Sequence, residues 1–151
     1  MAAIITNMVS KIKIVDLAVQ SFNIDKVEDF DIALLTTTMG QSDLIFEIAR
    51  KLKDKGITVI LGGPHATLAY DFDKRIVEIA DSVIIGAGEK ALPQAIIDYQ
   101  NHQLKPKYYM PVTSLDGIPF SRLDLLDSSK YYSSTVMIAT RNFRTNVNIA
   151  L

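Results

Sequence analysis

A chain of 151 residues, 48% apolar and 22% charged, is one globular domain's worth and long enough to bury a core. Sixteen basic against seventeen acidic residues leave a formal charge of −1, which provides neither a nucleic-acid footprint nor a cationic face for an anionic membrane. With no cysteine and two histidines outside any H-E-x-x-H spacing, disulfides, thiolate chemistry, cysteine-ligated clusters and the common zinc patterns are excluded.

The start, M-A-A-I-I-T-N-M, lacks the basic region and cleavage site of a signal peptide, and no apolar run approaches a membrane span, so the chain reads as cytoplasmic. Residues 12–15 (I-K-I-V) are a candidate strand, and 32–35 (I-A-L-L) are a clearer one ending in T-T-T-M-G-Q. Ser42 is placed as N-cap of a helix whose Leu44, Ile45, Ile48, Ala49 and Leu52 form one apolar stripe. Lysines crowd its last turn and Gly56 ends it. Residues 57–61 (I-T-V-I-L) form the run around which the chain is organised, a strand expected to be buried on both faces. It stops at Gly62-Gly63-Pro64. A short helix follows over 74–80, then a strand over 82–85 ending in G-A-G-E. A last helix runs to about residue 100, with Pro93 expected in its first turn.

Strands recurring about every 25 residues, each followed by a helix, predict an α/β fold: a flavodoxin-like (Rossmann-type) doubly wound parallel sheet. Past residue 104 the rhythm stops. Residues 105–135 read as an extended linker, with its tyrosine pairs as packing, and 136–139 (V-M-I-A) as one more candidate strand.

Three loops therefore stand at carboxyl strand ends, where open α/β sheets bind ligands. Gly62, Gly63, Gly86 and Gly88 let backbone approach a ligand, and Thr36, Thr37 and Thr38 offer hydroxyl donors. Each feature also has a plain structural reading. The threonines serve as a polar strand end, His65 as a loop histidine satisfied by backbone, and Glu89 as a first-turn carboxylate favoured by the helix dipole.

The combination of T-T-T-M-G-Q, G-G-P-H-A-T and G-A-G-E with a following Leu-Pro resembles the N-terminal cobalamin-binding domain of B12-dependent radical SAM proteins, methyltransferase-like in its M-x-Q loop. The piece L-D-G-I-P-F-S-R-L-D-L-L-D, then K-Y-Y-S-S, is similar to that family's linker into its catalytic barrel. The resemblance implies a cobalamin-binding-like domain over 1–104, a linker over 105–135 and the start of a barrel over 136–151. It implies cofactor contacts from Thr36, Thr37, Thr38, Met39, Gln41, Gly62, Gly63, Pro64, His65, Thr67, Gly86, Gly88 and Glu89. The D-x-H-x-x-G pattern is absent, so cobalamin is expected without histidine ligation of cobalt.

The family's cluster loop places three cysteines where this chain has Phe143, Val147 and Ala150, with Asn142 in the preceding glycine's place. No iron–sulfur cluster and no catalysis of the chain's own are therefore expected. The domain reads as truncated at both ends. Its first, central strand is missing: either 12–15 pairs directly with 32–35, or 1–8 fills the slot, or the domain is marginally stable. A second copy or a separate catalytic chain is left open as partner. The competing reading is a relic or interaction module of the same fold that binds no cofactor. A nucleotide or flavin binder would need glycines after the first strand, and a phospho-receiver an acidic cluster where the threonines stand.

Overall fold

The computed structural model describes residues 1–111 and 116–131. Four strands, β1 (Ile32–Thr36), β2 (Thr58–Gly62), β3 (Ser82–Ile85) and β4 (Lys107–Tyr109), form one sheet in that order, with every pairing parallel. The fold is a parallel α/β sheet of the flavodoxin-like class. Helices α1 (Ala2–Ile5), α2 (Ser42–Asp54), α3 (Pro64–Ala69), α4 (Arg75–Ile79) and α5 (Gly88–Gln100) cover it.

The continuous apolar runs are explained by burial on both faces. Val59, Leu61 and Val83 point into one core with Phe46, Ala49 and Leu52 of α2 and Ile76 and Ile79 of α4. Ile60, Ile84 and Tyr108 point into the other, against Ala91, Leu92, Ala95 and Ile96 of α5 and Ile5 of α1. The last crossover, through α5, thus lies on the opposite face from the two before it and has the opposite hand.

Five expectations are corrected. Residues 12–15 carry no regular secondary structure and join no ladder among the described residues, and so are not a strand there. The segment G-G-P-H-A-T is not all loop, because Pro64 sits in the first turn of α3, pre-set for a helix start by its fixed φ. Ser42 is the first helical residue and not a cap; its hydroxyl donates back to the Met39 carbonyl at 2.9 Å. Pro93 lies inside α5, in its second turn, because the helix starts at Gly88. Finally, the sheet runs past residue 104, since 107–109 form β4 within the stretch read as linker.

What makes β4 is a buried polar lock. The Tyr108 hydroxyl donates to Asp98 of α5 at 2.8 Å and accepts from the Lys105 amide at 3.0 Å. Gln94 donates to the other Asp98 oxygen at 2.7 Å. These bonds, the tyrosine's first, hold the Asp98 carboxyl below its ordinary range.

Among the described residues, neither segment expected to fill a missing central strand does so. Residues 2–5 are helical and pack Ile5 against α5, so the N-terminus does not supply a strand, and 12–15 do not pair with β1. The segment 136–139 lies outside the described residues.

Replacing Tyr108 with Phe is expected to lower the melting temperature by roughly 3–12 °C, as loss of a hydrogen bond to a charged group does in a domain of this size. Thermal unfolding followed by circular dichroism checks this. A depressed Asp98 stabilises the fold above its unfolded pKa, and that contribution is lost as pH falls through the folded value. The difference between wild type and Tyr108→Phe should therefore shrink in acid.

Candidate functional site

The carboxyl ends of β1, β2 and β3 carry the predicted site residues, and two short bonds draw the first two ends together. The Thr37 amide donates to the Gly62 carbonyl at 3.0 Å, and the His65 amide donates to the Thr37 carbonyl at 3.1 Å. Thr37 is fully buried there. Between them Gly63 takes φ +97, and a Cβ on it would stand 2.8 Å from the Thr37 carbonyl oxygen and 2.9 Å from Thr36 Cγ2. The glycine is thus required by the chain's own packing, whatever approaches from outside.

Thr67 joins the second loop to the third, its hydroxyl accepting from the Gly86 amide at 2.9 Å. Gly86 has φ +77, and a Cβ there would meet the Tyr109 ring at 3.7 Å. Gly88 opens α5 beneath the Met1 side chain, and Glu89 is buried in that helix's first turn. Thr36 and Thr38 are exposed, and Thr38 donates to the Gln41 side-chain oxygen at 3.0 Å. Met39 and Gln41 form an exposed single 3-10 turn. Pro64 is exposed, while Gly62 is partly covered.

His65 is not in a loop. It lies on α3, buried, its ring centroid 6.0 Å from that of Phe46 on α2. Its Nε2 comes within 3.4 Å of Asp73 Oδ2, and neither ring nitrogen makes an aligned hydrogen bond. Asp73 belongs to a network that sequence patterning missed. Arg75 donates to both of its oxygens, at 2.8 and 2.7 Å, and to Asp43 at 2.8 Å, with its guanidinium 4.9 Å from the Phe46 ring centroid. Arg75, with a smaller share from His65, holds the Asp73 carboxyl at about 2. Only the D-x-R spacing hinted at this pair, and nothing in the sequence joined it to His65.

The ends of the sheet also expose large apolar side chains. Met39 past β1 is 79% exposed, Leu68 past β2 75%, and Tyr109 at the end of β4 66%. Of these Met39 was expected at the site from sequence, while Tyr109 was read with Tyr108 as packing, which holds for the buried Tyr108 and not for the exposed Tyr109. Leu68 becomes legible once Pro64 is recognised as a helix start, because His65 and Ala66 then face inward and Leu68 outward. Among the described residues, no three acidic or histidine side chains converge as a metal-binding group, and no helix is long and apolar enough to cross a membrane.

No family model matches the chain. Over 99 residues, 63% of its length, it is 24% identical to the bacteriochlorophyllide d C-8(2)-methyltransferase of Chlorobaculum tepidum, and the match spans 21% of that protein. Among solved structures, the N-terminal domain of a hypothetical protein from Thermotoga maritima superposes with a TM-score of 0.51 at 22% identity. That match covers 73% of this chain and 85% of that one, a likeness of fold.

Gly63→Ala should cost about 1–3 kcal/mol for its positive φ, with the contact to Thr37 added, and His65→Ala should disturb the fold less. Urea unfolding of the two variants tests the order. Asp73, depressed from 3.8 to about 2, stabilises the fold fully above pH 3.8, and that contribution disappears as pH falls toward 2. In Asp73→Asn the acid limb of stability against pH should be correspondingly shallower, measured by chemical unfolding between pH 2 and 6.

Proposed function

We propose that the chain is a cobalamin-binding-type α/β domain, related to methyltransferases and without catalysis of its own. The observation that carries this reading is the exposure of three large apolar side chains, Met39, Leu68 and Tyr109, at or just past the carboxyl ends of three strands of a parallel sheet. Exposed apolar groups bordered by polar ones mark a binding surface, and parallel sheets bind ligands at this end. A corrin is broad and amphipathic, so it suits a rim of this kind better than a deep polar slot. Thr36, Thr38 and Gln41 stand exposed beside Met39 and would supply hydrogen bonds to its amide groups. When bound, cobalamin would supply a cobalt centre able to carry a methyl group. The chain's own part would be to seat the corrin and shield one face of it.

The fit is selective among the expected contacts. Met39, Gln41, Thr36 and Thr38 are available to a ligand. Thr37, Gly63 and Thr67 are engaged in tying the loops to one another, and His65 is turned toward Phe46 and Asp73. Cobalamin would therefore be held without an imidazole from this chain on cobalt. The similarity to a methyltransferase over 63% of the chain supports the same reading. The internal engagement of those four residues favours one competing reading, a module of this fold that holds no cofactor and acts through its surface.

Adding hydroxocobalamin to the purified protein and removing free ligand by gel filtration separates the two. Retained corrin absorption is expected, and its complete loss from the protein fraction would leave the surface-module reading. Met39→Asp and Leu68→Asp should each weaken binding about tenfold, the effect of losing roughly 1.5 kcal/mol of apolar burial. His65→Ala should leave the bound corrin's visible spectrum unchanged. Anaerobic reconstitution with iron and sulfide should yield no stoichiometric brown cluster, since the sequence holds no cysteine.

A further inference from the structure

With no cysteine in the chain, the methionine thioethers are its most easily oxidised side chains. Four of the five methionines fall among the described residues, and their surroundings differ. Met8 and Met110 are half-buried and pack against the core that α5 and α1 close. Met1 is 46% exposed and lies against Gly88. Met39 is 79% exposed. That exposure is built into the backbone. The Gln41 amide donates to the Thr38 carbonyl at 3.2 Å, the Thr38 hydroxyl to the Gln41 side-chain oxygen at 3.0 Å, and the Ser42 hydroxyl to the Met39 carbonyl at 2.9 Å. These bonds close the turn around Met39 and leave its side chain outside. A Cβ on the neighbouring Gly40 would meet nothing within 4 Å, so the turn stands clear enough for another protein to reach the sulfur.

We propose that Met39 is a site of reversible oxidation, through which hydrogen peroxide turns the surface just past β1 from apolar to polar. The sulfur lone pair attacks one peroxide oxygen, an S–O bond forms and the O–O bond breaks. Sulfur loses two electrons, the peroxide gains them, and the second oxygen leaves as water with both peroxide protons. The return step needs two thiols, which become a disulfide as the sulfoxide oxygen departs as water. The chain has no thiol, so a methionine sulfoxide reductase supplies them. A side chain that gains by being covered thereby becomes a strong hydrogen-bond acceptor that must shed water when a ligand settles on it. The effect on cofactor retention presupposes the cobalamin-binding reading, whereas the chemistry at sulfur does not. Met8 and Met110 are screened by their packing, so the change falls on the binding surface and spares the core.

Treating the full chain with dilute hydrogen peroxide, and following each methionine by peptide mass spectrometry, tests the proposal. Met39 is expected to convert at least about fivefold faster than Met8 and Met110 in the folded protein, and at the same rate as they do in urea. Methionine sulfoxide reductases A and B with a thiol reductant should then restore the thioether without unfolding. Equal rates in the folded protein, a preference that persists in urea, or a sulfoxide reduced only after unfolding overturns the site. Once peroxide is removed, the oxidised protein should bind hydroxocobalamin about tenfold more weakly than untreated protein, and the reductases should undo the loss. In Met39→Leu, whatever its own affinity, peroxide should change that affinity by less than about twofold. Selective oxidation that leaves wild-type affinity unchanged overturns the switch. If untreated protein retains no corrin, the cofactor reading fails on that ground, and the conversion rates and their reversal still decide the oxidation site.

Discussion

Burial of β2 on both faces is the constraint from which the rest of the molecule follows. Val59, Ile60 and Leu61 are each 2% exposed or less, and alternation sends Val59 and Leu61 to one core and Ile60 to the other. A strand in that position needs helices above and below and paired neighbours on both edges. β1 and β3 supply the edges, α2 and α4 one layer, and α5 with α1 the other. At the surface where β2 begins, Asp81 accepts the Val59 amide at 2.8 Å and Lys53 at 2.8 Å, closing the entry to the strand.

At the opposite end of β2 the backbone itself limits what the site is made of. Gly63 brings the start of α3 so close to Thr37 that the loops after β1 and β2 behave as one piece, and Thr67 extends the piece to β3. Groups that would otherwise face a ligand are used to build the platform. What protrudes from it is the 3-10 turn with Met39 and Gln41, the outer face of α3 with Leu68, and the end of β4 with Tyr109, the groups that the proposed reading gives to a ligand.

The two margins of the sheet are built differently. On the β4 side a short strand is held by buried hydrogen bonds, since three residues provide too little ladder by themselves. On the β1 side the strand is apolar from Ile32 to Leu35, yet Leu34 is 37% exposed, a side chain that the described residues leave uncovered.

From the sequence alone came the parallel α/β class, the three strands at 32–35, 57–61 and 82–85, and α2 and α4 between them, because continuous apolar runs and helical stripes report burial locally, whereas α3 was read as loop. The strand-end position of T-T-T-M-G-Q, G-G-P-H-A-T and G-A-G-E followed from the same rhythm. Only the tertiary structure decided which members of those loops face outward. His65 turns inward because Pro64 starts a helix and Phe46 and Asp73 lie beneath it, contacts made across 8 to 19 positions of sequence. β4 was illegible because its stability lies in Tyr108 meeting Asp98 and not in any period of its own. The I-K-I-V segment was misread for the converse reason: its pattern is that of a strand, but a strand exists only with a neighbour to pair with, and pairing is a property of the assembled sheet.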